Sequence, residues 1–162
     1  MAIRVNRLRL RRTIGFVVVC LAVTVAGCAS GPRWQYDTYA AGLDAARREN
    51  QLLFVYLRHW AETNCTRFEE SVLSRGPVIE ATRELCCVQL DFHWDQELAT
   101  RWRVLRPPGV VILDPSERVL ARLAGSISES QLLRAIERAR RTASGAPPAS
   151  ERTSRNAPAP AR

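Results

Sequence analysis

Two rhythms of apolar and polar positions run along this chain, and they alternate. Asp37 or Thr38 can cap a helix running to about Asn50, with Arg47 and Arg48 in its last turn. Leu52–Leu57 is a continuous apolar run short enough for a buried strand. A second helix is expected from Cys65 to Leu73, stopped by Gly76-Pro77. Pro77 suits the first position of a third helix, to about Leu85. Cys87–Phe92 reads as a second strand, and Asp95 can cap a short helix through Trp102. After Pro107-Pro108-Gly109 the run Val110–Leu113 predicts a third buried strand. Asp114–Glu117 is a turn, and Arg118–Ala124 alternates as an edge strand does, ending at Gly125. Ser128 with Gln131 three residues on is a capping box for a last helix to about Arg141, whose stripe is Leu132, Leu133, Ile136 and Ala139.

The order is α-β-α-α-β-α-β-β-α. Helices between the early strands imply a parallel pair joined by crossovers, followed by an antiparallel hairpin and a closing helix. The expected class is α/β, a single domain over residues 34–141 with a central mixed sheet of about four strands flanked by helices.

Both ends follow other rules. Arg4, Arg7, Arg9, Arg11 and Arg12 precede an apolar run, Ile14–Ala26, that closes on small residues before Cys28. A basic start, a short apolar middle and a small-residue end are the parts of a secretory signal. The run is about 13 residues, whereas a spanning helix needs roughly 20. Val25-Ala26-Gly27-Cys28 resembles the lipobox of bacterial lipoproteins. That resemblance implies a signal over 1–27, lipid on the Cys28 thiol and a tether over 28–33. It places the protein in the cell envelope, held to a membrane and facing the periplasm or exterior. Ala29 after the cysteine favours the outer membrane where one exists. Arg11-Arg12-Thr13-Ile14 loosely resembles a twin-arginine signal, so the export route stays open. Residues 142–162 are mostly Ala, Pro, Ser, Thr and Arg, too poor in large apolar residues to offset ordering entropy, and are expected to be disordered.

The net charge of +8 is carried by these ends. Between Trp34 and Arg141 stand 15 arginines and 15 acids. Nucleic acid is not an expected partner, because binding it needs clustered positive charge. Of 5 cysteines, Cys20 would leave with the signal and Cys28 would be lipidated. Cys65, Cys86 and Cys87 remain, which is not a disulfide scaffold. Cys86 and Cys87 begin the second strand, so one should point into the core and the other away. His59 and His93 show no metal-ligand spacing with the thiols, and no metal or other cofactor is implied.

The element order, with a proline just before the third strand, resembles the thioredoxin-like fold. Leu52–Leu57 followed by Trp60 resembles the strand leading into that family's Trp-Cys-x-x-Cys site. Cys65-Thr66-Arg67-Phe68-Glu69 resembles the second site cysteine and its helix in the DsbD C-terminal-domain type. Val88–Asp91 resembles the strand ending in aspartate, and Val104-x-x-x-Pro108 the stretch that holds the family's cis-proline. The resemblance implies that Cys65 is the resolving cysteine and Trp60 flanks the site. It also implies that Pro108 is cis and borders a groove for an extended peptide.

The first thiol of the pair is missing. Counting back from Cys65 puts Glu62 at its place; anchoring on Trp60 puts Ala61 there. The family's cycle needs two thiols, one attacking a substrate disulfide and one resolving the mixed disulfide. The expectation is therefore a degenerate site with at most single-cysteine chemistry through Cys65, which His59 could assist as a base. The alternative is a non-catalytic module that binds a protein or peptide at the Trp60/Pro108 groove. Trp60 could equally pack at a loop corner, and Pro108 could serve only as a rigid turn. Cys86 and Cys87 are expected at the opposite pole from Cys65, too far to replace the missing thiol.

Overall fold

The computed structural model describes residues 31–145. In chain order they form α1 (Tyr39–Glu49), β1 (Leu53–Arg58), α2 (Thr63–Phe68) running on into a π-helical turn (Glu69–Leu73), α3 (Gly76–Thr82), β2 (Cys86–Asp91), α4 (Gln96–Arg101), β3 (Gly109–Leu113), β4 (Val119–Ala124) and α5 (Glu129–Ala143). The expected signal, the Cys28 lipidation site and the part of the expected tail after Gly145 lie outside the described residues. Among the described residues no helix is long and apolar enough to cross a membrane.

The sheet order is β2-β1-β3-β4. β1 and β2 are parallel, with Leu53 opposite Cys86 and Arg58 opposite Asp91. β3 runs antiparallel to β1, and β4 antiparallel to β3 with a register slip between Ile112 and Leu113. The reason β1 reads as an unbroken apolar run is that both sheet faces are covered. Phe54 and Tyr56 pack with Phe68, Leu73, Val78, Leu132 and Ile136 on one side. Leu53, Val55 and Leu57 pack with Leu43, Ala46, Ala99 and Trp102 on the other.

The same covering corrects one expectation. Cys86 and Cys87 do point to opposite faces, but neither points away from a core, and both are buried. Burial pushes the Cys87 thiol up to about 12. Both act as small apolar residues.

Local chemistry accounts for most element ends. Thr38, not Asp37, caps α1, its hydroxyl accepting the Ala41 N–H at 3.2 Å, and Asn50 closes the helix in the left-handed region at φ 51°. Ser128 and Gln131 form the expected capping box. Asp95 takes the N-cap position of α4 as expected, but its side chain makes no capping bond: the carboxylate instead accepts the Asp91 N–H at 3.1 Å, pinning the end of β2.

Three boundaries shift further. The second helix begins two residues early, at Thr63, and widens into the π-turn, where Ser71 and Ser74 hydroxyls donate to the Arg67 and Glu70 carbonyls. α3 stops at Thr82, whose hydroxyl donates back to the Val78 carbonyl. α5 extends to Ala143, two residues into the segment expected to be disordered.

The domain also starts with a piece that carries no apolar rhythm. Tyr36 forms a parallel bridge beside Val88. The Gln35 side chain accepts the Cys87 N–H at 2.9 Å, and Trp34 stacks on Tyr56 with ring centroids 5.7 Å apart. Residues 34–36 thus occupy the otherwise open edge of β2.

Candidate functional site

Three loops leave the same end of the sheet: the one after β1, the one after β2 and the one before β3. Their grouping follows from the register, since Arg58 lies opposite Asp91 and Leu57 opposite Gly109. The first loop carries His59, Trp60 and Glu62, and leads into Cys65 in the first turn of α2. The second carries His93 and Trp94. The third carries Leu105, Arg106 and the Pro107–Pro108 peptide, which is cis. Trp60, Cys65 and Pro108 are therefore brought to one pole. Cys86, opposite Leu53 at the start of β1, stands with Cys87 at the other. All three described cysteines are free thiols.

Cys65 is fully buried. Its sulfur accepts the backbone N–H of His59 at 3.4 Å, a bond that folds the β1–α2 loop back onto the helix. Behind it, at the end of β1, the Tyr56 hydroxyl donates to Glu69 Oε1 at 2.9 Å. Burial pushes the Tyr56 phenol well above its ordinary value, and the neighbouring Cys65 and Glu69 push it further. The Tyr56 hydroxyl therefore stays protonated and donates. Arg58 Nε lies 3.1 Å from the same Glu69 oxygen, yet its buried N–H is not aimed at it and makes no hydrogen bond. The result is a compact Cys65–Tyr56–Glu69–Arg58 cluster that closes the site from below.

Glu62 is exposed at the N-cap of α2, three residues before Cys65. Its side chain makes no capping bond, while its carbonyl accepts the Cys65 N–H at 2.9 Å. No thiol stands at position 61 or 62. The His59 ring makes other contacts: its Nδ1 accepts the Ala61 N–H at 3.3 Å and the ring stacks against Trp60.

Trp60 is 75% exposed, so it does not pack at the loop corner. Trp94 at 82% and Leu105 at 86% are exposed on the neighbouring loops. Together they give this pole an apolar character found nowhere else among the described residues, apart from Val119 on β4. Among the described residues no three His, Cys, Asp or Glu side chains converge as metal ligands would.

Reading the sequence missed Tyr56, Arg58 and Glu69. The signals were present: a hydroxyl-bearing aromatic and an arginine in an aliphatic run, and an acid four residues after Cys65 on the same helix face. Only the packing of α2 against β1 makes them one cluster.

No family model matches this chain. A segment of 98 residues is 31% identical to the thiol:disulfide interchange protein DsbD of Pseudomonas fluorescens, covering 56% of this chain and 17% of that protein. The chain thus spans about a sixth of the length of this curated relative. Among solved structures, a solution structure of a disulphide-isomerase-like protein from Bacteroides thetaiotaomicron superposes with a TM-score of 0.59 at 23% identity, over 68% of this chain and 94% of that one. A thioredoxin from Thermus thermophilus gives 0.58 at 24% identity, over 64% and 85%. The reduced DsbD C-terminal domain of Neisseria meningitidis gives 0.53 at 18%, over 60% and 90%. The architecture is a thioredoxin-like fold, as the element order implied.

Proposed function

We propose that this chain is an envelope-anchored thioredoxin-fold module, related to thiol–disulfide oxidoreductases, that binds protein or peptide segments at the Trp60/Pro108 groove without a dithiol cycle. The observation that carries this reading is Cys65: a fully buried thiol with Glu62 at the helix N-cap before it. A resolving cysteine has nothing to resolve when no exposed thiol can form the mixed disulfide. The DsbD likeness supports descent from a redox enzyme. The exposed Trp60 supports retention of a contact surface.

A second reading, single-cysteine chemistry through Cys65, is favoured by the backbone N–H of His59, which donates to the sulfur at 3.4 Å. Alkylation separates the two. The full chain is treated with a maleimide under native conditions, and modification at each cysteine is measured by peptide mass spectrometry. The binding reading expects Cys65 to stay unmodified until denaturant is added. Rapid native labelling of Cys65, with a mixed disulfide trapped by a small-molecule disulfide, would establish the second reading instead.

Anchoring rests on the Val25-Ala26-Gly27-Cys28 pattern and has its own test. Cys28→Ala is expected to leave the precursor uncut and free of lipid in the bacterial host, seen as a larger band without incorporated labelled fatty acid. A variant that matures and stays in the membrane fraction as before would remove the lipid anchor from the proposal.

A further inference from the structure

Beside the site, between α2 and the loop that joins β4 to α5, lies an open cleft of about 250 Å3. Phe68 and Ile127, both buried, supply apolar surface in it. Asn64, Arg67 and Ser126 stand exposed on its walls, and no carboxylate lines it. The cleft continues the Pro108 region, because Gly125 at its edge donates its N–H to the Pro108 carbonyl at 2.8 Å.

Gly125 sits at φ 76°, a conformation that favours glycine. Its missing side chain leaves room for a second cation. A Cβ there would lie 2.7 Å from Arg106 Nε, so the Arg106 guanidinium lies against Gly125 at the edge of the cleft. Among the described residues neither Arg67 nor Arg106 forms an ion pair. Of the nearby acids, Glu69 is engaged with Tyr56 and Arg58, and Glu129 of α5 with Arg75 at 3.7 Å, while Glu62 and Glu70 are exposed and line no part of the cleft. Arg67 on the wall of the cleft and Arg106 against Gly125 at its edge, neither in an ion pair, with the exposed Asn64 and Ser126 lining the cleft, complement a carboxylate carried on an extended chain.

Building on the peptide-binding reading above, we infer that the occupant is an acidic peptide segment, its Asp or Glu side chain seated between Arg67 and Arg106. Arg67 and Arg106 then set specificity, whereas the apolar pole around Trp60 supplies contact area that does not select for charge.

The test uses the full-length protein, immobilised, to select from a displayed library of random decapeptides. The expected result is enrichment of peptides rich in Asp and Glu. A synthetic peptide from that pool should bind roughly fivefold more tightly than its Gln/Asn counterpart, and less so as salt rises. Arg67→Glu, a change at an exposed helix position, should cancel this preference or shift selection toward Lys and Arg. Peptides that are enriched without acidic bias, yet lost with Trp60→Ala, would overturn the inference and leave the groove reading standing. No enrichment over a blank surface would overturn both.

Discussion

On the proposed reading, Glu62→Cys is expected to give this chain a protein-disulfide reductase activity that the parent lacks. Position 62 is exposed at the N-cap of α2, where the first-turn N–H groups lower a thiol's pKa. Position 62 is the extended N-cap residue, and its carbonyl already accepts the Cys65 N–H at 2.9 Å, so one turn closes position 62 onto Cys65. A small adjustment of the first turn then brings positions 62 and 65 to the roughly 4 Å that a disulfide requires.

The restored cycle is the ordinary one. The new thiolate attacks the substrate disulfide and forms a mixed disulfide. Cys65 then attacks the sulfur at position 62, releases the second substrate thiolate and leaves an internal disulfide for dithiothreitol to reduce. In a turbidity assay with insulin and dithiothreitol, the variant should exceed the parent by at least about tenfold. An N-cap thiol with a pKa of about 7 is at least about tenfold more ionised at neutral pH than an unperturbed thiol at about 8.5, and the parent, with no thiol at position 62, leaves only the dithiothreitol background. The gain should vanish in Glu62→Cys combined with Cys65→Ala. A variant that folds, forms the internal disulfide when oxidised and still shows no turnover would mean that the groove no longer admits an extended chain. In that case the peptide-binding reading fails with it.

The second large effect is structural. Gly42, in the middle of α1, lies where the helix rides against the sheet. A Cβ there would come within 2.1 Å of Val88 Cγ2 and 3.1 Å of Leu53 Cδ1. Glycine ordinarily weakens a helix interior by about 1 kcal/mol relative to alanine, so its use here reflects the close approach. Gly42→Val must push α1 off β1 and β2 or force Val88 from its rotamer. Overpacking of this kind costs about 1–3 kcal/mol, and the stiff branched side chain belongs at the upper end. The expected fall in Tm is roughly 10–15 °C, read by circular dichroism.

The partner identifies the cause. Val88→Ala alone should also destabilise, by loss of buried methyls, but adding it to Gly42→Val should recover about 1 kcal/mol or more in a double-mutant cycle. Strict additivity would mean that the Val88 contact is not what excludes a side chain at Gly42.

These two experiments probe different levels of legibility. Gly42 looks like an ordinary weak point in a helix until the distance to Val88 is known. The missing first thiol was legible by counting, which puts Glu62 at its place from Cys65 and Ala61 from Trp60. Element order was legible for the same kind of reason: Leu53–Leu57 and Val110–Leu113 are apolar on consecutive positions, which strands covered on both faces require. The Ser128–Gln131 capping box is likewise chemistry between residues three apart. The domain start at residue 34 was legible, but the pairing of residues 34–36 with Val88 and Cys87 was not, because those partners stand more than fifty positions away and nothing local encodes that.

Local pattern, then, determined the number, type and order of the elements, the missing first thiol and the position of Pro108, since each depends on neighbours in sequence or on a short count. Tertiary structure alone decided that Cys65 is sealed, that both Cys86 and Cys87 are buried and that Tyr56, Arg58 and Glu69 share one cluster. It also left Trp60, Trp94 and Leu105 exposed at one pole and laid Arg106 against Gly125 at the edge of the cleft that Arg67 lines. Burial and charge pairing are sums over groups that only the crossing of α2 over β1, and the meeting of three loops, brings within a few ångströms.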